Sequence, residues 1–156
     1  MPLSPDHPAL IYFTSGSAGR PAGLIRTHSY LCYATMGFGI TTSDRTGAML
    51  PLAFGGSVSS VFGPLMAGGT ACFFDPITRS IGSLAEWIER ARITFFQTSP
   101  SALQAVATAL HARGRTAPEV RLVVIGGEPC DGRQLELARR VLPRATIANH
   151  YGSTEA

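Results

Sequence analysis

Short apolar runs alternate with segments of helical spacing along the whole chain. Residues 9–13 (Ala-Leu-Ile-Tyr-Phe) read as a buried strand, and the segment after the glycine-rich stretch that follows has helical spacing. Thr27 or Ser29 is placed to cap a helix through Leu31, Ala34 and Thr35, ending at Gly37, Phe38 and Gly39. Residues 46–51 form a second strand. Gly55, Gly56 and Ser57 then open a helix with Val58, Val61, Phe62, Leu65 and Met66 on one side, and Gly68 and Gly69 end it. A strand at 70–74 stops at Asp75 and Pro76. Ser83 and Glu86 have capping-box spacing, and Leu84, Trp87, Ile88 and Ala91 point inward from the helix that follows. A short strand covers 93–96. Ser99 and Pro100 are an N-cap and a first-turn proline, followed by Leu103, Val106, Ala107 and Leu110 at helical spacing. Residues 111–118 are polar and rich in breakers, a loop. The β-branched run at 121–125 is a buried parallel strand bounded by Gly126 and Gly127. Asp131 and Gln134 start a helix with Leu135, Ala138 and Leu142 inward and Pro143 as its stop, and 146–149 is the last strand.

This alternation predicts an α/β fold: a layered, mostly parallel β-sheet flanked by helices. In such sheets ligands sit outside the carboxyl ends of the strands. Four predicted strand ends carry candidate loops, at 14–23, 53–56, 126–128 and 151–155. The first is rich in glycine and hydroxyls: Thr14, Ser15, Gly16, Ser17, Gly19 and Gly23. Its glycines let the backbone turn tightly, and a concave run of amides without a carboxylate suits a phosphate. Taken alone, the same loop also reads as a plain turn between two elements.

At 156 residues the chain is one domain's worth and can bury a core. No run of about 18 apolar residues exists, so no membrane span or membrane partner is expected. The first residues lack the basic region and apolar core of a signal peptide, and the expected location is cytoplasmic. The formal net charge is +3, and all 13 basic residues are arginine; there is no lysine. These arginines are scattered apart from Arg139 and Arg140, which argues against nucleic acid as a partner. Cys32, Cys72 and Cys130 have neither redox nor zinc spacing and are expected as small buried thiols.

Three segments together carry more than any one of them. Residues 14–23 read T-S-G-S-A-G-R-P-A-G, residues 126–128 read G-G-E, and residues 151–155 read Y-G-S-T-E. In this order they resemble the acyl-adenylate-forming superfamily of acyl-CoA synthetases, peptide-synthetase adenylation domains and luciferases. The usual phosphate loop is T-S-G-S-T-G-x-P-K-G; here Ala18 replaces threonine and Ala22 replaces lysine. The resemblance runs from about Leu10 to Glu155, so 1–156 is expected to be a single partial AMP-binding domain.

What the resemblance implies is an ATP-dependent reaction in two halves. A carboxylic acid attacks the α-phosphate, giving an acyl-adenylate and pyrophosphate. A thiol of CoA or of a carrier protein then takes the acyl group. By the same resemblance the nucleotide-binding residues are Thr14, Ser15, Gly16, Ser17, Gly19, Gly23, Gly126, Gly127, Glu128, Asn149, His150, Tyr151, Gly152, Ser153 and Thr154. Gly126, Gly127 and Tyr151 would form the adenine pocket, Thr154 would bond the α-phosphate, and Glu155 would hold Mg²⁺. Thr154 and Glu155 are the implied catalytic residues. Phe54, Gly55 and Ser59 are the implied substrate pocket. The peptide-synthetase pattern F-D-x-S-V has an aspartate, paired with the substrate's α-amino group, where this chain has Gly55. An ammonium left unpaired in an apolar pocket is costly, so an acid without an α-amino group is expected. The family also uses a ribose-binding aspartate and a lid-domain lysine downstream of Y-G-x-T-E. Neither is among these residues, so the chain alone is expected to be incomplete or inactive, with those parts in another chain. The alternatives are a non-catalytic nucleotide-binding or interaction remnant and a serine hydrolase. For the hydrolase, residues 55–59 come near G-x-S-x-G but place Ser59 at the last glycine.

Overall fold

The computed structural model describes residues 2–14, 22–52 and 55–152. Its elements are β1 (Pro8–Thr14), β2 (Ala22–Thr27), α1 (His28–Met36), β3 (Arg45–Ala48), α2 (Ser57–Ala67), β4 (Thr70–Phe73), α3 (Ile81–Arg90), β5 (Phe95–Thr98), α4 (Pro100–Ala112), β6 (Leu122–Ile125), a 3₁₀ turn (Arg133–Leu135), α5 (Glu136–Val141) and β7 (Thr146–Asn149). Five strands form one sheet in the order β4-β3-β5-β6-β7. Every pairing in it is parallel, as strands linked by helical crossovers require. Among the described residues no helix is long and apolar enough to cross a membrane.

The two faces of the sheet are covered differently. Phe96, Val123 and Ile125 join Leu84, Ile88, Leu103, Val106, Leu110 and Val141 in the main core, against α3, α4 and α5. The alternate residues Thr46 and Gln97 bond α2 on the other face. Phe95 and Phe96 are both fully buried, so the middle of the sheet is dry on both sides. Near-continuous apolar strands of this kind are why the sequence shows the sheet so clearly.

Several local expectations change. Residues 9–13 do form a strand, but β1 pairs antiparallel with β2 in a separate two-stranded sheet. Tyr12 is buried, whereas Ile11, Phe13 and Ile25 face outward. Ile11 lies opposite Ile25, so one side of the hairpin is apolar and open. The segment 22–27, between the glycine-rich loop and the expected helix cap, is the return strand. Helix α1 does start at the expected cap, with Thr27 accepting from the Tyr30 amide. In α3 the cap is Ser80, whose hydroxyl accepts from the Ser83 amide, rather than Ser83 itself. The short strand expected at 93–96 is β5, shifted to Phe95–Thr98. The helix expected from Asp131 opens as the 3₁₀ turn, and Asp131 Oδ1 accepts from the Arg133 amide. Cys32 is exposed, and Cys72 and Cys130 are half-buried, so the expected buried thiols are not what forms.

Helix α2 turns over relative to its apolar stripe. Ser57, Val58, Ser59, Ser60, Gly63 and Pro64 are buried, while Leu65 and Met66 are exposed. Small side chains let α2 lie close to β3 and α1. Pro64 has no N–H, which leaves the Ser60 carbonyl four residues back without its helical donor. The Thr46 hydroxyl supplies that donor from β3 at 2.5 Å.

At the amino-terminal edge of the sheet, Asp44 ties three strands together. Its Oδ1 accepts from Thr94 Oγ1 (2.6 Å) and Arg121 Nε (2.7 Å). Its Oδ2 accepts from Arg121 Nη2 (2.7 Å) and the Thr41 amide (2.7 Å). Burial alone would raise this carboxyl's pKa; the donors on Arg121, Thr94 and Thr41 outweigh it and hold the group well below the usual carboxylate range.

Candidate functional site

Parallel pairing puts the carboxyl ends of β3, β5, β6 and β7 along one edge. Two backbone bonds fix the middle of that edge. The Gly126 amide donates to the Thr98 carbonyl (3.2 Å), and the His150 amide donates to the Ile125 carbonyl (2.8 Å). Gly126 therefore passes tightly beside the start of the 150–152 segment. A Cβ on it would lie 2.6 Å from the His150 carbonyl oxygen. Gly127 follows at φ +81°, a left-handed conformation that favours glycine, with open space on the side where a Cβ would sit. The outcome at Gly127 is exposed backbone without side-chain cover, beside the tightly packed Gly126.

Glu128 is held by the first turn of α4. Its carboxylate accepts from Ser101 Oγ (2.9 Å) and from the Ser101 amide (3.2 Å), in the first turn of α4. Ser99 caps the same helix by accepting from the Ala102 amide (3.2 Å). Bonds from the Ser101 side chain, the Ser101 amide and Ser99 lower the Glu128 pKa, as a carboxylate at a helix amino terminus should be. Glu128 thus anchors the loop after β6 to α4. Ser99 and Ser101 are partners that the sequence reading did not include in the site, although the Ser99 cap signal was visible.

The remaining site residues fall into groups. Asn149 pairs with Ile125 in the last register position of β7. The His150 ring stands edge-on to Phe38 at 6.3 Å, and Phe38 stacks on Phe95 at 5.5 Å. Tyr151 is 99% exposed, so its ring does no core packing. Gly152 lies next to His150. Near the end of β5, buried Gln97 bonds buried Ser59 of α2, and Gly55 is half-buried just before that helix. Gln97 was not foreseen; a lone amide in an apolar strand was its only signal. Thr14 and Gly23 belong to the β1–β2 hairpin, where Thr14 pairs with Ala22 and Gly23 with Phe13. That hairpin packs on α1 and is outside the parallel sheet, so three of the four loops, not all four, leave the parallel sheet's edge. Ser15, Gly16, Ser17, Gly19, Phe54, Ser153, Thr154 and Glu155 lie outside the described residues. Among the described residues no three His, Cys, Asp or Glu side chains gather as a metal site would need.

Parallel α/β sheets of this kind take ligands at their carboxyl edge, where Gly126 and Gly127 lie. The chain belongs to the AMP-binding enzyme family, which it matches over residues 1–156. It is 34% identical over 156 residues to syringomycin synthase SyrB1 of Pseudomonas syringae pv. syringae, covering 95% of this chain and 25% of that protein. It is 29% identical over 154 residues to surfactin synthase subunit 2 of Bacillus subtilis (strain 168), covering 95% of this chain and 4% of that protein. The crystal structure of the nonribosomal peptide synthetase FmoA3 superposes with a TM-score of 0.89 at 28% identity, covering 99% of this chain and 17% of that one. The amino-terminal subdomain of Klebsiella oxytoca NpsA, bound to 3-hydroxyanthranilyl-AMSN, shares the fold with a TM-score of 0.82 at 24% identity, covering 98% and 39%. The chain thus spans a small part of the relatives it matches.

Proposed function

We propose that this protein takes part in ATP-dependent activation of a carboxylic acid as its acyl-adenylate. The observation that carries the reading is the family match together with the open Gly127 backbone at the sheet edge. In this reading Gly126, Gly127 and Tyr151 take the adenine, and the hydroxyls and amides of residues 14–19 take the phosphates. Thr154 bonds the α-phosphate, and Glu155 holds Mg²⁺, which when bound offsets phosphate charge. Glu128 acts one step back, holding the adenine loop on α4. The acceptor is a thiol, and the likeness to peptide synthetases favours a carrier-protein thiol over CoA. The compartment proposed is the cytoplasm. There is no lysine in these residues, so the lysine charge that the family resemblance assigns to a lid domain comes from outside them.

The proposed substrate class is an acid without an α-amino group: aryl, fatty, keto or hydroxy. Gly55 offers no carboxylate to pair an ammonium, and Ser59 and Gln97 are already bonded to each other. The amino terminus of α2 beside Gly55 also disfavours a cation. In pyrophosphate exchange with the lid domain supplied, aryl, keto or hydroxy acids are expected to exceed the matching amino acids by at least about tenfold. An amino acid turned over best would refute this class.

The binding half is tested by calorimetry with ATP and with a non-hydrolysable acyl-adenylate analogue, with and without Mg²⁺. Binding of both, with Mg²⁺ strengthening ATP and Glu155→Ala removing that gain, is the expected result. A folded protein that binds neither at millimolar concentration would refute the reading. Robust exchange by these residues alone would refute the assignment of the charge to an outside lysine.

A further inference from the structure

The amino-terminal edge of the sheet, opposite Gly126, holds a second concave surface. It is a cleft of about 370 Å³ lined by Ser43, Arg45, Arg90, Arg92, Thr94 and Glu119. Arg45 starts β3, Thr94 precedes β5, and Arg90 and Arg92 stand at the end of α3. Arg45 is anchored, its Nε donating to the Ala91 carbonyl at 2.5 Å. Elsewhere Arg113 pairs with Glu86, Arg115 with Glu89 and Arg121 with Asp44. The side chains of Arg90, Arg92 and Glu119 have no ion pair or hydrogen bond among the described residues. Arg45, Arg90 and Arg92 thus bring three guanidinium groups to one cleft that holds a single carboxylate, Glu119.

The backbone at Arg92 is the second observation. Helix α3 ends in a turn where the Arg92 amide donates to Glu89 O (3.0 Å) and the Ile93 amide to Ile88 O (3.0 Å). That pattern puts residue 92 in the left-handed region, at φ +51°. Glycine takes this position without strain, and α2 and α4 end on Gly68 at φ +77° and Gly114 at φ +62°. At α3 the chain keeps an arginine there. Arg90 already supplies the helix's carboxyl end with a cation. Strain of this kind persists where the side chain is used.

We propose that this cleft binds an anion carrying more than one phosphate group, free in solution, held by Arg45, Arg90 and Arg92. Guanidinium forks match phosphate oxygens in pairs, which suits a phosphate better than an isolated carboxylate. The cleft has room for a diphosphate, and three guanidinium groups can meet more phosphate oxygens than a monophosphate offers. This inference does not depend on the adenylation reading, because the cleft lies at the other edge of the sheet.

The test is titration of the protein with inorganic diphosphate, inorganic monophosphate and a glutamate-rich peptide, read by calorimetry and by backbone amide shifts. Diphosphate should bind saturably, about tenfold tighter than monophosphate, and shift residues 43–45 and 90–94. Arg92→Gly should weaken it about threefold to tenfold while the melting temperature holds or rises, since glycine relieves the left-handed strain. Arg90→Ala with Arg92→Gly should lose tenfold or more, and Glu119→Gln should tighten binding. The proposal is overturned by unchanged affinity in Arg92→Gly, by shifts confined to residues 126–128 and 149–152, or by a peptide that binds more tightly than diphosphate.

Discussion

Replacing Gly126 with alanine is expected to cost about 3 kcal/mol of stability and to weaken acyl-adenylate binding by about 100-fold. The new methyl would sit 2.6 Å from the His150 carbonyl oxygen. That oxygen belongs to backbone, and the His150 amide is bonded to Ile125, so the segment cannot swing aside cheaply. Relief must come from parting the ends of β6 and β7 or from breaking the Gly126 bond to Thr98. Either movement carries Gly127, and Tyr151 beyond His150, out of place. Gly127→Ala is the informative comparison. There the added methyl meets open space, and the cost is the left-handed backbone alone, about 1–2 kcal/mol. Urea denaturation and calorimetry with the adenylate analogue separate the two. Equal losses of stability in both variants would mean that the close approach to His150 is not what fixes this edge.

How much of this was legible in the sequence follows from what each signal measures. The central strands β5 and β6 are largely apolar, buried runs that need cover on both faces, and the breakers between the elements of the sheet are unambiguous. The hairpin was not legible, because residues 22–27 combine a glycine, an arginine and a threonine with too few apolar positions for a strand period to show. The face of α2 was misread because periodicity finds the apolar stripe and says nothing of which neighbour lies near. Ser59, Ser60 and Gly63 are buried because close packing favours small residues there, and the Ser60 carbonyl needs Thr46 once Pro64 removes its donor. Glu128 is legible as part of G-G-E, but the helix it serves depends on the fold: it reaches across to α4, 27 residues back in sequence. Tyr151 stands exposed where a chain-local reading would equally have buried it.

Asp44→Ala is expected to cost about 3 kcal/mol and to change how the protein responds to acid. Asp44 is 2% exposed and accepts from Arg121, Thr94 and Thr41 at once. Its removal leaves the Thr94 hydroxyl and the Thr41 amide short of a partner. Arg121 loses its ion pair but is partly exposed and regains water, so the loss stays at the lower end for a buried pair. The pH dependence has a definite sign. The folded carboxyl titrates well below the usual range, whereas the unfolded one titrates near 3.9. A depressed folded pKa gives stability that is fully present above about pH 4 and drains away as the pH falls below it, because the unfolded chain takes up the proton first. Wild type should therefore lose stability steeply between about pH 4 and pH 2, and Asp44→Asn should start lower and fall less over that window. Urea midpoints measured at half-unit pH steps check this. Parallel pH profiles for wild type and Asp44→Asn would show that other carboxyls, not the clamp on β3, β5 and β6, set the acid limit of the fold.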